Sequence, residues 1–79
     1  MSADNLISVM PNPANDYVNI KAAEIIKTIQ LFSATGQLLK AVKLSSNNYT
    51  LDIKMLTAGQ YTLRVETASG QVNQKIIKE

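Results

Sequence analysis

The chain has 79 residues, which is enough for one small domain. A hydrophobic fraction of 46% is typical of a folding chain, and the absence of Cys and His excludes the common zinc sites and every catalytic triad that needs an imidazole base. Eight Lys and Arg against six Asp and Glu leave a net charge of +2, a field too weak to indicate a nucleic-acid-binding protein.

Alternation of apolar and polar residues predicts a chain built from β-strands. It is strictest at residues 59–67, where Tyr61, Leu63 and Val65 alternate with polar side chains, as in a half-buried strand. Residues that favour turns divide the chain into about seven short strands. In chain order, these predicted strands are residues 6–10, 16–21, 27–33, 37–44, 49–55, 60–67 and 71–78.

The breaks between these strands are predicted from residues that end or bend a strand. Pro11 and Pro13 bracket Asn12 and interrupt any ladder between the first two strands. The segment 21–27 is interpreted as a loop, and the segment 45–48, Ser-Ser-Asn-Asn, as a polar turn. The remaining turns each contain a glycine that follows a small residue. These glycines are Gly36, Gly59 and Gly70.

A weak internal repeat indicates how the strands are arranged. Residues 27–44 and 61–78 share the same turn chemistry and are predicted to form two similar hairpins. The third and sixth strands are neighbours in an immunoglobulin-type order, so the two hairpins would pair within one sheet. The sequence therefore predicts an all-β fold, an immunoglobulin-like antiparallel β-sandwich. Its predicted inward-facing residues are Val18, Ile20, Ile29, Leu31, Leu38, Leu51, Ile53, Leu63, Val65 and Val72.

The segment from Leu56 to Tyr61 resembles the tyrosine corner of Greek-key sandwiches. The pattern is a leucine, a tight turn with Gly59, and a tyrosine at the start of an alternating strand. In such a corner the phenol hydroxyl bonds back to the backbone a few residues upstream. We therefore predict a structural role for Tyr61.

The residues give no indication of catalysis, a cofactor or a metal. Asp16, Asp52 and Glu66 are the candidates for a calcium or acid–base cluster, but they lack the spacing of a ligand loop. They are predicted to be solvated surface residues. The lysines alternate with apolar residues, as on the outward faces of strands. We therefore predict no enzyme, no nucleic-acid partner and no membrane insertion, since the apolar stretches are too short to span a bilayer.

Four ordered motifs resemble a known family. They are residues 9–20 around Pro11-Asn12-Pro13, residues 29–39, residues 56–65, and the ending 74–79. Their order and spacing are similar to those of the C-terminal sorting domains, type A, of proteins that Bacteroidetes export through the type IX secretion system. The resemblance covers residues 7–79 and leaves residues 1–6 as an N-terminal flank or linker.

This resemblance implies a transport function. A cargo protein with such a domain crosses the periplasm, is recognised by the outer-membrane translocon and its shuttle proteins, and ends at the cell surface or outside the cell. In this family a sortase-like cysteine peptidase can cleave before the domain and attach the cargo to surface lipopolysaccharide. The resemblance implies a scissile bond upstream of Pro11, which either lies within residues 2–6 or is absent from this chain. The domain is then a substrate of the pathway and not an enzyme.

The resemblance also implies which residues matter, and an alternative remains open. The residues expected to be recognised are Gly59, Tyr61, Lys75, Ile76, Ile77 and Lys78. Those expected to maintain the structure of the family are Pro11, Asn12, Pro13, Gly36, Leu56 and Gly70. The alternative is a non-catalytic binding module of the fibronectin or carbohydrate-binding kind, which would anchor an enzyme to a surface or polymer and would need an exposed aromatic platform.

Overall fold

The computed structural model describes residues 7–10 and 15–79. Within these residues the chain forms five strands that pair only antiparallel, in one sheet that curls on itself. The strands are β1 (Ile7–Met10), β2 (Tyr17–Ser33), β3 (Leu38–Asp52), β4 (Gly59–Thr67) and β5 (Gly70–Lys78). The flank 1–6 and the break at Pro11, Asn12 and Pro13 lie outside the described residues. Helices that could cross a membrane are absent from the described part of the chain.

Strand β2 organises the sheet because it pairs with three other strands. One of its edges pairs with β3 from Tyr17 to Phe32. Its other edge pairs first with β1, as far as Ala22, and then with β4, beginning at Ile26. The sheet therefore has a part made of β1, β2 and β3 and a part made of β3, β2, β4 and β5, and β2 and β3 run through both.

The prediction of seven strands is wrong because two predicted breaks lie inside strands. The segment Lys21–Lys27 belongs to β2, where residues 22–25 lie opposite Asn47 alone. Such a bulge bends a strand and increases its twist without ending it. The immunoglobulin-like sandwich is accordingly not confirmed, although the all-β antiparallel fold is.

The polar turn predicted at residues 45–48 is also strand, because its backbone pairs with β2. Asn19 of β2 helps to hold the neighbouring part of β3, since its amide donates to Thr50 Oγ1 at 3.0 Å and to Asn48 Oδ1 at 3.4 Å. The polar side chains of 45–48 remain exposed. A strand at a sheet edge tolerates such side chains, because only its backbone must pair.

The predicted pairing of the third and sixth strands is confirmed. Ile29 lies opposite Val65, and Leu31 lies opposite Leu63. This pairing brings the two repeated hairpins side by side in one sheet, as the repeat predicts. It also places β4 and β5 at one end of the strand order.

Most of the predicted inward-facing residues form the core. Val18, Ile20, Ile29, Leu31, Leu51, Ile53, Leu63 and Val65 are all buried. Val72 is half-buried, and Ile26, Tyr61 and Ile76 complete the core. The prediction for Leu38 is wrong: its side chain is 48% exposed. A register shift pairs Leu38 with Phe32 on the face that points away from the core.

Candidate functional site

The predicted tyrosine corner is present at the start of β4. Tyr61 is buried in the core, and its hydroxyl donates to the backbone carbonyl of Thr57 at 2.5 Å. The turn before it is closed by a bond from the Leu56 N–H to the Ile53 carbonyl at 3.1 Å, and Leu56 packs against the core. The structural role predicted for Tyr61 is therefore confirmed, because its ring fills the core while its hydroxyl fixes the loop.

Gly59 is needed at this corner for its backbone conformation. Its φ is +153°, a value that residues with a side chain rarely adopt. A Cβ added at Gly59 would meet nothing within 4 Å, so space does not explain the glycine. Gly59 lies opposite Lys78 and Tyr61 lies opposite Ile76. The corner and the terminal motif predicted from the sequence are therefore adjacent in the sheet.

The terminal motif divides its side chains between the two faces of β5. Ile76 is fully buried, with 0% exposure, while Ile77 is 41% exposed on the opposite face. Lys75 shares the outward face of Ile77 and is exposed, whereas Lys78 shares the inward face of Ile76 and is half-buried. In the folded domain Ile76 is thus a core residue. The accessible side of the motif is formed by Lys75 and Ile77, with Lys78 half-buried.

Two other family residues, Gly36 and Gly70, lie at the turns of the two hairpins. Gly36 lies in the turn between β2 and β3, where its N–H donates to the Ser33 carbonyl at 3.0 Å. Gly70 is the first residue of β5 and lies opposite Thr67. Pro11, Asn12 and Pro13 are outside the described residues. These placements assign Gly36 and Gly70 to the shape of the two hairpins.

A cation and an aromatic ring lie together on the outward side of β2 and β4. The guanidinium carbon of Arg64 lies 5.0 Å from the centroid of the Phe32 ring, and Arg64 Nε donates to Asn73 Oδ1 at 3.2 Å. The sequence alone does not predict this contact. Alternation alone places Arg64 on a polar face, but the neighbour across the sheet follows only from the pairing of β2 with β4.

The three carboxylates considered as a cluster are all exposed, as predicted, and Glu66 lies apart from the other two. Asp16 and Asp52 line one surface depression of about 330 Å³. Asp52 Oδ1 accepts a bond from the Lys54 N–H at 2.9 Å, and Glu66 lies elsewhere, opposite Thr28. Among residues 7–10 and 15–79 there is no group of three or more acidic side chains placed to hold a metal ion.

Glu24 joins the bulge of β2 to the turn between β4 and β5. Its Oε2 accepts a bond from Ser69 Oγ at 2.7 Å, beside a cleft of about 110 Å³ between β1 and this turn. Hydrogen bonds from the side chains of Ser69 and Thr67 lower the pKa of Glu24 below its ordinary value, because they stabilise the carboxylate. This hydrogen bond ties β2 to the β4–β5 turn in the interval where β2 pairs with neither β1 nor β4.

We expect Ser69→Ala to raise the pKa of Glu24 towards its ordinary value. The substitution removes the hydrogen bond from the Ser69 side chain, which is the largest cause of the lowered pKa. A lowered folded pKa means that the ionised carboxylate favours the folded state at neutral pH. That contribution is lost as the pH falls below the ordinary glutamate range and through the lowered folded pKa. Carboxyl titration by NMR measures the effect, with the exposed Ser45→Ala as control. Equal Glu24 pKa values in wild type and Ser69→Ala would contradict it.

Comparison with protein families gives one match over nearly the whole chain. Residues 8–79 match the family described as secretion system C-terminal sorting domain. The match includes every described strand except the first residue of β1. Comparison with curated proteins finds no match.

Proposed function

The chain belongs to the family of secretion system C-terminal sorting domains, and from that membership we propose that it directs a fused cargo protein through the outer-membrane translocon of the type IX system. The observation that carries the proposal is the family match over residues 8–79. Membership implies export of the parent protein towards the cell surface or the extracellular space. The finer steps of the route are part of the proposal.

In this proposal the domain is a substrate of the pathway and has no catalytic role. The cargo is in the periplasm in transit, where shuttle proteins and the translocon bind the folded domain. A sortase-like cysteine peptidase then cleaves upstream of Pro11, and the cargo is attached to the cell surface.

We propose that the partner reads the corner and the outward side of β5 together. Gly59 and Tyr61 fix the start of β4, and β4 holds β5 by pairing along its full length. Lys75 and Ile77 then face outward from β5. Of the family residues, Tyr61 and Ile76 act by maintaining this shape, while Lys75 and Ile77 are placed to contact the partner.

We expect a periplasm-directed reporter fused to the 79-residue chain to be exported in a type IX-competent host. Lys75→Ala/Lys78→Ala should lower export by about tenfold, the effect of losing roughly 1.4 kcal/mol of binding free energy. Lys21→Ala/Lys54→Ala removes the same charge elsewhere and should leave export unchanged. Circular dichroism confirms that both variants are folded. Export is measured as the reporter fraction outside the cell.

Two outcomes would contradict different parts of the proposal. If the wild-type fusion stays in the periplasm while an established sorting domain carries the same reporter out, the sorting function is wrong. If Lys75→Ala/Lys78→Ala is exported normally, the sorting function stands and the two lysines have no role in recognition.

The binding-module alternative gains little from the described aromatic residues. Tyr61 is buried, Tyr49 packs against the core, and Phe32 lies beneath Arg64. Tyr17, which is 50% exposed, stands apart from them at the start of β2. These rings do not form the flat exposed platform that carbohydrate recognition would need.

A further inference from the structure

The part of the sheet made of β2, β4 and β5 presents a polar surface away from the core, which we call the outer face. Its side chains alternate with the buried residues of the same strands, and cross-strand pairing puts them in rows. The outer face consists of Thr28, Gln30 and Phe32 from β2, Thr62, Arg64 and Glu66 from β4, and Gln71, Asn73, Lys75 and Ile77 from β5.

Arg64 is held at the centre of this face in one orientation. Its guanidinium lies over Phe32 and its Nε donates to Asn73 Oδ1. Among the described residues, the Arg64 side chain makes no other hydrogen bond and no ion pair. The remaining N–H groups of the guanidinium are thus available to an external acceptor. Since neighbours already fix the side chain, binding such an acceptor loses little side-chain entropy.

The charges around Arg64 favour an anion. Lys75 lies diagonally across the β4–β5 pair from Arg64, and Lys43 lies opposite Thr28 on the far side of β2. Glu66 shares the outer face but makes no contact with Arg64. The outer face therefore carries two cations, Arg64 and Lys75, against one carboxylate, Glu66, and Lys43 of β3 adjoins it, so its net charge is positive.

We propose that the outer face binds an acidic segment of a partner protein, and that the Arg64 guanidinium takes one of its carboxylates in a bidentate pair. A guanidinium matches the two oxygens of a carboxylate, and its planar fork adds specificity to the charge. The proposal rests on the proposed function in that the partner is a component of the export machinery.

Two observations favour a protein partner over an anionic membrane. Phe32 is covered by Arg64 and cannot insert into a bilayer. The chain as a whole has a net charge of only +2, and Glu66 on the same face would be repelled by a dense anionic surface. A single carboxylate presented by a polypeptide fits the oriented guanidinium of Arg64 better than an anionic membrane surface does.

Binding is tested with a hexaglutamate peptide and the isotope-labelled 79-residue chain, followed by NMR. We expect saturable shifts on the outer face. Arg64→Lys, which keeps the charge and loses the fork, should weaken affinity by about tenfold, the loss of one bidentate charged pair. Lys21→Gln, which removes a charge from β2 outside this face, should change affinity less than about twofold. Asn73→Ala removes the hydrogen bond that orients Arg64 and leaves Phe32 unchanged. This substitution should also weaken binding of the peptide.

Several results would overturn the proposal. They are the absence of saturable binding, equal effects of Arg64→Lys and Lys21→Gln, or Arg64-dependent binding to phosphatidylglycerol vesicles without binding to the peptide.

The export assay separates this proposal from the sorting function. If folded Arg64→Lys is exported normally, the export machinery does not recognise the outer face through Arg64. The sorting function would still stand. If the wild-type fusion binds the peptide through Arg64 but is not exported, the sorting function is contradicted. The carboxylate-binding site at Arg64 would still stand.

Discussion

Tyr61→Ala should lower the free energy of unfolding by about 3–5 kcal/mol, the usual cost of deleting a large core side chain. The ring is buried among the apolar residues of β2, β4 and β5, and its hydroxyl holds the Thr57 carbonyl. A domain of this size has a total stability of the same order. We therefore expect most of the chain to be unfolded at 37 °C. Urea denaturation followed by circular dichroism measures the change.

Two matched variants show which part of Tyr61 matters. Tyr61→Phe keeps the ring and loses the bond to Thr57, so it should cost about 1–3 kcal/mol. Tyr17→Ala removes an aromatic ring that is 50% exposed and should cost distinctly less than either. A Tyr61→Ala variant that melts within a degree or two of wild type would show that the corner does not hold the fold.

The second large effect concerns two adjacent isoleucines in β5. Ile76→Ala should lower the free energy of unfolding by about 2–5 kcal/mol, because Ile76 is fully buried opposite Tyr61. Ile77→Ala, one residue along on the outer face, should cost about 0.5–1 kcal/mol. Chemical denaturation of the two single variants provides the comparison.

The same pair separates folding from recognition. Export of Ile76→Ala should fall together with its folded fraction, whereas export of Ile77→Ala should fall while the domain remains folded. Ile77→Ser then tests whether the exposed apolar contact is what the partner reads. If both alanine variants are stable and exported normally, the terminal motif contributes neither to the core nor to recognition.

The sequence predicts the parts of the fold that are decided locally. The alternation of Tyr61, Leu63 and Val65 identifies the buried face of β4, because a strand turns successive side chains to opposite faces. The turns at Gly36 and Gly70 follow from small and flexible residues. The corner at Tyr61 is also local, since the hydroxyl and the Thr57 carbonyl are close in sequence.

The remaining features depend on distant parts of the chain. Ile25 and Ile26 look equivalent in the sequence, but the bulge in β2 buries Ile26 and leaves Ile25 51% exposed. The shift that exposes Leu38 is likewise a property of two paired strands and not of one. The contact of Arg64 with Phe32 depends on the register between β4 and β2. These outcomes follow from pairing, which alternation along one segment does not reveal.

The position of β2 between three partners determines the order in which the domain can fold. The pairs β2–β3 and β4–β5 are hairpins joined by short turns, so each forms from local contacts at a low cost in loop entropy. Docking β4 onto β2 joins segments that are far apart in sequence, so we expect it to be the slow step. Until residues 61–67 have been synthesised, the second edge of β2 next to Ile29 and Leu31 stays open. A chain interrupted before that point carries an unpaired, apolar edge and is exposed to aggregation and proteolysis.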